Sequence, residues 1–273
     1  MRRILLLSTS FSGGGAEYVS KQMFNTFTTA TCVLFENQKN ERNNRLRVMR
    51  SIRTENLLVK ILVNLYRLVY IQVLKILTKP SFTISHLEGP NLINLLTVGG
   101  GYKIIVVHNV VTHNYRDPTL LNFFKKKFIS LFYRRADRLV SVSSEVAQDL
   151  SSKYKVPKCK IDLLSNPIDI DSINHSACKV SEGLESFLTA SNYLVCVASF
   201  TKQKNHGLLL DVYKKTLESD PDIKLILVGD GPEKQTILKT CKRLGLQVGS
   251  LGTDSTSLYP QVILAGFQDN PYP

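Results

Sequence analysis

Several features are scarce or missing in this 273-residue chain, and each narrows the reading. Five cysteines (Cys32, Cys159, Cys178, Cys196 and Cys241) are scattered, odd in number and without a Cys-x-x-Cys pair. That spacing argues against a disulfide framework or a zinc site and points to a reducing, cytosolic compartment. There is no Walker pattern. The dinucleotide fingerprint fails as well, because the sixth position counted from Gly13 is Tyr18. No internal repeat or low-complexity tract stands out. The opening Met-Arg-Arg-Ile-Leu-Leu-Leu is too short an apolar run for a signal peptide and is followed at once by Gly13-Gly14-Gly15, so a first strand is the better reading. One long apolar stretch, Leu57–Leu77, is interrupted by Lys60, Asn64, Arg67, Gln72 and Lys75, which makes a spanning helix costly.

Acidic residues are the other shortage. Lys and Arg number 35 against 22 Asp and Glu, a net charge of +13. Residues 1–168 hold 25 basic and 10 acidic side chains, whereas residues 169–273 hold 10 and 12. The basicity therefore belongs to the first part. That argues against a general nucleic-acid coat and for an anionic surface facing that part. Hydrophobic residues at 43% and charged residues at 21% mark a globular chain, and the length suits two domains.

Apolar runs and helical patterns alternate. Arg3–Ser8, Thr31–Phe35, Ser81–Ser85, Tyr102–Val107, Arg138–Ser143 and Lys160–Leu164 read as strands. Ala16–Phe27, Phe123–Arg135 and Ser144–Lys153 read as helices, the last with Ser144 as its N-cap. Residues 169–190 are polar and weakly patterned, a linker. A second alternation follows, with strands at Tyr193–Ser199, Ile223–Val228 and Val262–Phe267. Helices lie at His206–Glu218 and Glu233–Leu244, the second opening at Pro232. Val248–Gln261 reads as a surface loop. The alternation predicts an α/β chain of doubly wound parallel sheets, with one domain over 1–168 and another over 191–273.

Four constellations could carry chemistry. Gly13-Gly14-Gly15-Ala16-Glu17 joins a strand to a helix, where glycine lets a phosphate approach and the helix start offers free N–H groups. The same pattern also serves as a plain turn. His108 ends a buried strand at the carboxyl edge where open α/β sheets bind ligands, with His113 and Arg116 in the loop that follows. Lys202 and Lys204 lie between a strand end and a helix start, suited to a diphosphate. Lys125, Lys126, Lys127, Arg134, Arg135 and Arg138 interleave with aromatic residues. This is either an amphipathic domain helix or a contact with anionic lipid headgroups, and no recognised nucleic-acid motif accompanies it. For Leu57–Leu77, spacings of 7 and 8 place Lys60, Arg67 and Lys75 near one face, with two readings: a helix packed on a sheet or a helix lying on a membrane surface.

Taken in order, Gly-Gly-Ala-Glu (14–17), Val-Val-His-Asn (106–109), Ser-Val-Ser-Ser-Glu (141–145), Ser-Asn-Pro-Ile-Asp (165–169), Lys-Gln-Lys-Asn-His (202–206), Val-Gly-Asp-Gly-Pro (228–232), Leu-Gly-Leu (244–246) and Val-Ile-Leu-Ala-Gly-Phe (262–267) resemble the retaining GT-B glycosyltransferases of family four, also called group one. The resemblance implies two Rossmann-like domains facing a cleft, the first for the acceptor and the second for a UDP- or GDP-sugar donor. Transfer would proceed with retention and without an obligatory metal or other cofactor. By position, Gly14 and Gly15 approach the donor phosphates and His108 touches the transferring sugar. Lys202 and Lys204, with Gly229 and Gly231, hold the diphosphate. Glu17, His113 and Arg116 fall on the acceptor side. The implied partners are a nucleotide sugar, a glycan or lipid-linked acceptor and an anionic membrane surface, with the protein peripheral on the cytoplasmic face. Nucleic acid is not among them.

Two departures qualify the resemblance. Ala198-Ser199-Phe200 stands where the family has Gly-Arg-Leu, so the arginine contact is missing and Lys202, a flexible ammonium, is the nearest substitute. The 273 residues also end just after the third predicted strand of the second domain, without the family's Glu-seven-residues-Glu pair. This predicts an incomplete second domain and weak donor binding. A non-catalytic truncated remnant, or an acceptor- or membrane-binding partner, is the rival reading. A nucleotide-dependent oxidoreductase, resting on the glycine turn and Glu36, is a third.

Overall fold

Strand and helix alternate along the chain, and the strands pair in parallel throughout. The computed structural model describes residues 3–12, 14–36, 43–49, 54, 56–115, 119–179, 192–250 and 260–272. The chain divides into two units, Met1–Pro167 and Ile168–Pro273.

In the first unit β1 (Ile4–Ser8) leads to α1 (Gly15–Thr26), β2 (Ala30–Leu34) and β3 (Leu46–Val48). Then come α2 (Leu57–Thr78), β4 (Phe82–His86), α3 (Glu88–Leu96) and β5 (Tyr102–Val107). The unit closes with α4 (Val111–Asn114), α5 (Leu120–Tyr133), β6 (Arg138–Ser141), α6 (Ser144–Ser152) and β7 (Ile161–Leu163). The seven strands order as β3-β2-β1-β4-β5-β6-β7, with β1, β4 and β5 at the centre. β1, β2 and β5 are near-continuous apolar runs because both faces of a parallel sheet are covered. On one face Leu5 and Leu7 meet Ile71 and Leu74 of α2 and Ile93 of α3, while Ile105 and Val107 meet Leu95 of α3 and Ile129 and Tyr133 of α5. On the other face Leu6, Cys32, Leu34, Ile84 and Val106 cluster with Phe24 of α1. Each fully buried large apolar side chain contributes about 1.5–3 kcal/mol.

The middle of the first face is polar. Thr83 and Ser85 of β4 are fully buried there, as are Asn94 of α3 and Lys75 of α2. Lys75 Nζ donates to the Asn94 carbonyl at 3.0 Å and to its Oδ1 at 2.9 Å, and Asn94 Nδ2 donates to Ser85 Oγ. Burial, reinforced by Lys103, pulls the Lys75 ammonium down to about 7.

This corrects the expected charged face of α2. Lys60 is exposed, but Lys75 turns into the core and Arg67 is half-buried, its Nη2 donating to the Phe35 carbonyl at 2.6 Å. The helix packs on the sheet through Ile71, Leu74 and Lys75 near its C-terminal end, and its opposite, apolar side is left open.

The second unit opens with a helix, α7 (Ile170–Ala177), within the stretch read as a linker; Asp169 caps it, accepting from Ser172 N at 3.0 Å. Residues 180–190 of that stretch lie outside the described residues. Then follow β8 (Tyr193–Val197), α8 (His206–Ser219), β9 (Lys224–Val228), α9 (Lys234–Arg243), β10 (Val248–Ser250) and β11 (Val262–Gly266), in the sheet order β10-β11-β9-β8. Leu225, Leu227, Val262 and Leu264 pack against Leu210 and Tyr213 of α8 and Ile237 and Cys241 of α9.

Three further expectations change. Val248–Ser250, read as the start of a loop, is an edge strand beside β11, so Val262–Gly266 is the fourth strand of this sheet. Residues 251–259 of the same stretch lie outside the described residues. The cap of α6 is Ser143, whose side chain accepts from Val146 N, and Pro232 stands ahead of the Glu233 cap of α9. Cys32 is fully buried, whereas Cys196 on the edge strand β8 is half-buried.

Candidate functional site

The carboxyl ends of β1, β4 and β5 lie side by side in the first sheet, and the turns that leave them carry the polar residues of interest. Ser8 ends β1 fully buried, and its hydroxyl pairs with Ser20 of α1 at 3.0 Å, tying the helix to the strand end. Gly14 is the extended cap of α1 and Gly15 its first residue. Among the described residues a Cβ on Gly15 would meet nothing within 4 Å, so no neighbouring atom of theirs demands a glycine there. Glu17 lies in the first turn, where a carboxylate complements the helix dipole, and its Oε2 would sit 3.1 Å from a Cβ on Gly14. Gly13 lies outside the described residues.

His108 follows β5, half-buried, and the structure adds a partner that sequence reasoning missed. His86 ends β4 with 0% exposure, and its Nδ1 lies 3.1 Å from Nε2 of His108, the rings stacked at 5.4 Å. The signal was present: His86 ends a strand just as His108 follows one. Burial holds both imidazoles neutral at ordinary pH, His86 down to about 3, with His108 adding to the effect, and His108 down to about 4. His86 Nε2 and His108 Nδ1 are buried without partners. An unpaired buried N–H costs more than an unpaired lone pair, and His86 is the more deeply enclosed ring. The favoured tautomer therefore has His86 Nδ1–H donating to His108 Nε2, which leaves the His108 N–H on Nδ1.

His113 is exposed on α4, and Arg116 lies outside the described residues. The loop after His108 is pinned by Asp149 of α6, which accepts from Thr112 N and Oγ1. Farther along the same edge, Tyr115 donates to the Glu88 carboxylate, and burial followed by that carboxylate pushes its phenol well above the usual range. Lys125 lies 5.5 Å from the centre of the Tyr115 ring. A mainly apolar groove of about 500 Å³ runs here, lined by Leu92, Tyr115, Phe124, Lys125, Lys127 and Phe128 among others. Lys126 belongs to the same turn of α5. Arg134 and Arg135 are exposed just past its end, with Arg135 over the Phe132 ring.

In the second unit Lys202 and Lys204 are exposed in a 3₁₀ turn between β8 and α8. Asn205 caps α8 in a left-handed conformation, its Oδ1 accepting from Leu208 N. A cavity of about 230 Å³ lies beside this cap, lined by Thr201, Lys202, Asn205, His206, Glu233 and Thr236 among others. His206 is buried against Phe200, and burial with nearby Lys204 lowers its pKa. Gly229 and Gly231 have a structural explanation of their own. Their φ values are +146° and +156°, and Cβ atoms there would lie 2.0 Å from the Ala198 carbonyl oxygen and 2.5 Å from that of Phe200. Among the described residues no group of three or more His, Cys, Asp or Glu side chains converges as a metal site.

Two family models match the chain, Glycosyltransferase Family 4 over residues 28–172 and glycosyl transferases group 1 over residues 185–263. The chain is 29% identical over 189 residues to an N-acetylgalactosamine-N,N'-diacetylbacillosaminyl-diphospho-undecaprenol 4-alpha-N-acetylgalactosaminyltransferase of Campylobacter jejuni, covering 68% of this chain and 46% of that protein. It is 24% identical over 213 residues to a glycosyltransferase of Methanocaldococcus jannaschii, covering 74% and 49%. The chain thus spans about half the length of the curated relatives it matches. Among solved structures, Anabaena HepE in complex with UDP and glucose superposes with a TM-score of 0.67 at 15% identity, covering 99% of this chain and 70% of that one. Sucrose-phosphate synthase of Thermosynechococcus elongatus gives 0.70 at 12%, covering 98% and 71%. These likenesses establish the GT-B-like α/β fold.

Proposed function

The chain belongs to glycosyltransferase family 4, and from that premise we propose that it moves a sugar from a UDP- or GDP-sugar to a glycan or lipid-linked acceptor with retention of configuration. The observation that carries the reading is that the Gly14–Gly15 turn and His108 leave the carboxyl ends of β1 and β5 on one edge of one sheet, with only β4 and its terminal His86 between them. In this reading the first unit takes the acceptor and the second the donor. His108, held by His86, sets a neutral imidazole ring at the strand end beside the transferring sugar. Gly15 leaves room for the donor phosphates at the start of α1. Lys202 and Lys204 stabilise the charge that develops on the departing diphosphate, the largest electrostatic task of the step. Gly229 and Gly231 let the turn after β9 pack against Ala198 and Phe200, at the start of the loop that carries these lysines. Glu17 and His113, together with Arg116, fall on the acceptor side. The name of the Campylobacter relative, a transferase acting on a diphospho-undecaprenol, supports a lipid-linked acceptor. Lys125, Lys126, Lys127, Arg134 and Arg135 then serve as the electrostatic contact with an anionic membrane on its cytoplasmic face, at about 1 kcal/mol per basic residue near the surface.

Titration calorimetry with UDP, GDP and their sugars tests the donor half. Binding of one nucleotide series is expected, weakened about tenfold or more by Lys204→Met through loss of a charge-assisted contact. A folded sample that binds none of them overturns catalysis by this chain and leaves the non-catalytic binding role, which the Ala198-Ser199-Phe200 departure favours.

A further inference from the structure

The outer side of α2 is the largest feature that sugar transfer leaves unexplained. On this helix Leu58, Leu62, Leu65, Val69, Val73 and Ile76 are all exposed and recur at spacings of three and four residues, which aligns them in one stripe. Leu62 is 64% exposed and Ile76 60%. The inner side is apolar too, through Ile71 and Leu74, so the helix is hydrophobic on both sides while the core covers only one. A contiguous apolar surface of this kind marks an interaction site.

Its surroundings select the partner. Helices α2 and α5 flank α3 on the same face of the first sheet, so their outer surfaces belong to one layer. Neither α2 nor α5 contains an acidic residue. Lys60 borders the α2 stripe, and Lys125, Lys126 and Lys127 stand on α5 among exposed Phe123, Phe124, Phe128 and Leu131. Apolar stripes on two helices that carry basic and no acidic side chains complement an anionic bilayer. They do not match a second copy of the same face, which would bring like charges together. Leu57–Thr78 is long and apolar enough to cross a membrane, but Arg67, Gln72 and Lys75 tie it to Phe35, Val98 and Asn94, which favours a helix held on the sheet over one that spans.

We propose that the outer stripe of α2 inserts into the interface of an anionic membrane, the helix lying in the membrane plane with basic α5 beside it. This deepens the membrane part of the function proposed above. There α5 supplied the charge; here α2 supplies the apolar anchor that charge alone lacks. Attachment by α2 resists salt, whereas attachment by α5 alone is screened by it.

The chain has no tryptophan, so Leu62→Trp makes the only indole. With vesicles of equal parts phosphatidylglycerol and phosphatidylcholine, its emission should shift to the blue and be quenched by brominated acyl chains. A Leu163→Trp control on exposed β7 should do neither. Leu58→Asp/Leu62→Asp/Leu65→Asp should cut vesicle partitioning about tenfold or more with an unchanged circular dichroism spectrum. Lys125→Gln/Lys126→Gln/Lys127→Gln should weaken binding chiefly at low salt. An indole at 62 that stays solvent-exposed while the protein is vesicle-bound overturns insertion by α2 yet leaves α5 docking standing. Failure of the wild-type chain to bind these vesicles overturns both. Light scattering that shows a dimer abolished by the triple Asp variant gives the stripe to a second copy and also overturns the proposal. None of these readouts depends on nucleotide binding, so the donor reading stands or falls separately.

Discussion

The turns at Gly15 and Gly231 resemble each other in sequence, each a glycine between a parallel strand and a helix, yet they differ in what occupies the space beside them. At Gly15 the described residues leave that space open. At Gly229 and Gly231 it fills the space with its own backbone, the carbonyls of Ala198 and Phe200. A glycine at a strand end is therefore not by itself a mark of phosphate binding. The interiors differ in the same sense. The first unit buries Lys75, His86, Asn91 and Asn94, whereas the core around Leu225, Leu227, Leu210 and Ile237 in the second is apolar. Chemical variety is concentrated in the first unit, and tight chain-on-chain packing at the glycine loop in the second.

The sharpest way to break this contrast is Gly229→Ala. A methyl group 2.0 Å from a carbonyl oxygen at φ +146° has nowhere to go. The variant should lose about 3 kcal/mol or more, read as faster amide exchange in β8 and β9. Normal protection there would show that the loop yields and that the glycine serves a ligand after all.

Acid should act on the first unit. Both imidazoles titrate at 6.5 when unfolded, but burial holds His86 near 3 and His108 near 4 when folded. Through this pair the unfolded chain binds more protons below about pH 6.5, so the pair's contribution to stability is present above that value and is lost progressively as pH drops toward the folded values. Urea midpoints measured between about pH 7.5 and 5 should decline, and His86→Asn/His108→Asn should flatten the decline. An unaltered slope would mean that the pair does not titrate as its burial requires.

The smallest stability effect belongs to Gly15→Ala. With open space at the first residue of α1, the change should leave stability within about 1 kcal/mol of wild type or raise it. Nucleotide-sugar affinity should fall nonetheless, because the added methyl occupies room assigned to the donor phosphates. Unchanged affinity would make the two turns alike in being structural only.

Much of the architecture was legible in the amino-acid order. β1, β2 and β5 announce themselves as apolar runs because a parallel sheet is covered on both faces. What escaped was short or atypical. β3 and β10 are three-residue edge strands with too little pattern to detect. Helix α3 is masked by Gly89-Pro90 and by two asparagines, yet Pro90 sits harmlessly in its first turn, and Asn91 and Asn94 spend their amides on Val106 and on β4. Helix α7 hides in a polar stretch that offered no apolar periodicity strong enough to oppose the linker reading.

At the candidate site, the strand-end position of His108 and the lysines after β8 came from sequence. The missing arginine and the uneven charge of the two parts did too, and all of these are facts of residue order. Tertiary structure alone paired His86 with His108, since their strands are adjacent in the sheet although the residues are 22 apart in the chain. It alone turned Lys75 inward to Asn94 and left the stripe from Leu58 to Ile76 uncovered. Periodicity says which residues share a side of a helix. Whether that side meets a sheet, water or a membrane depends on which other elements the fold places against it.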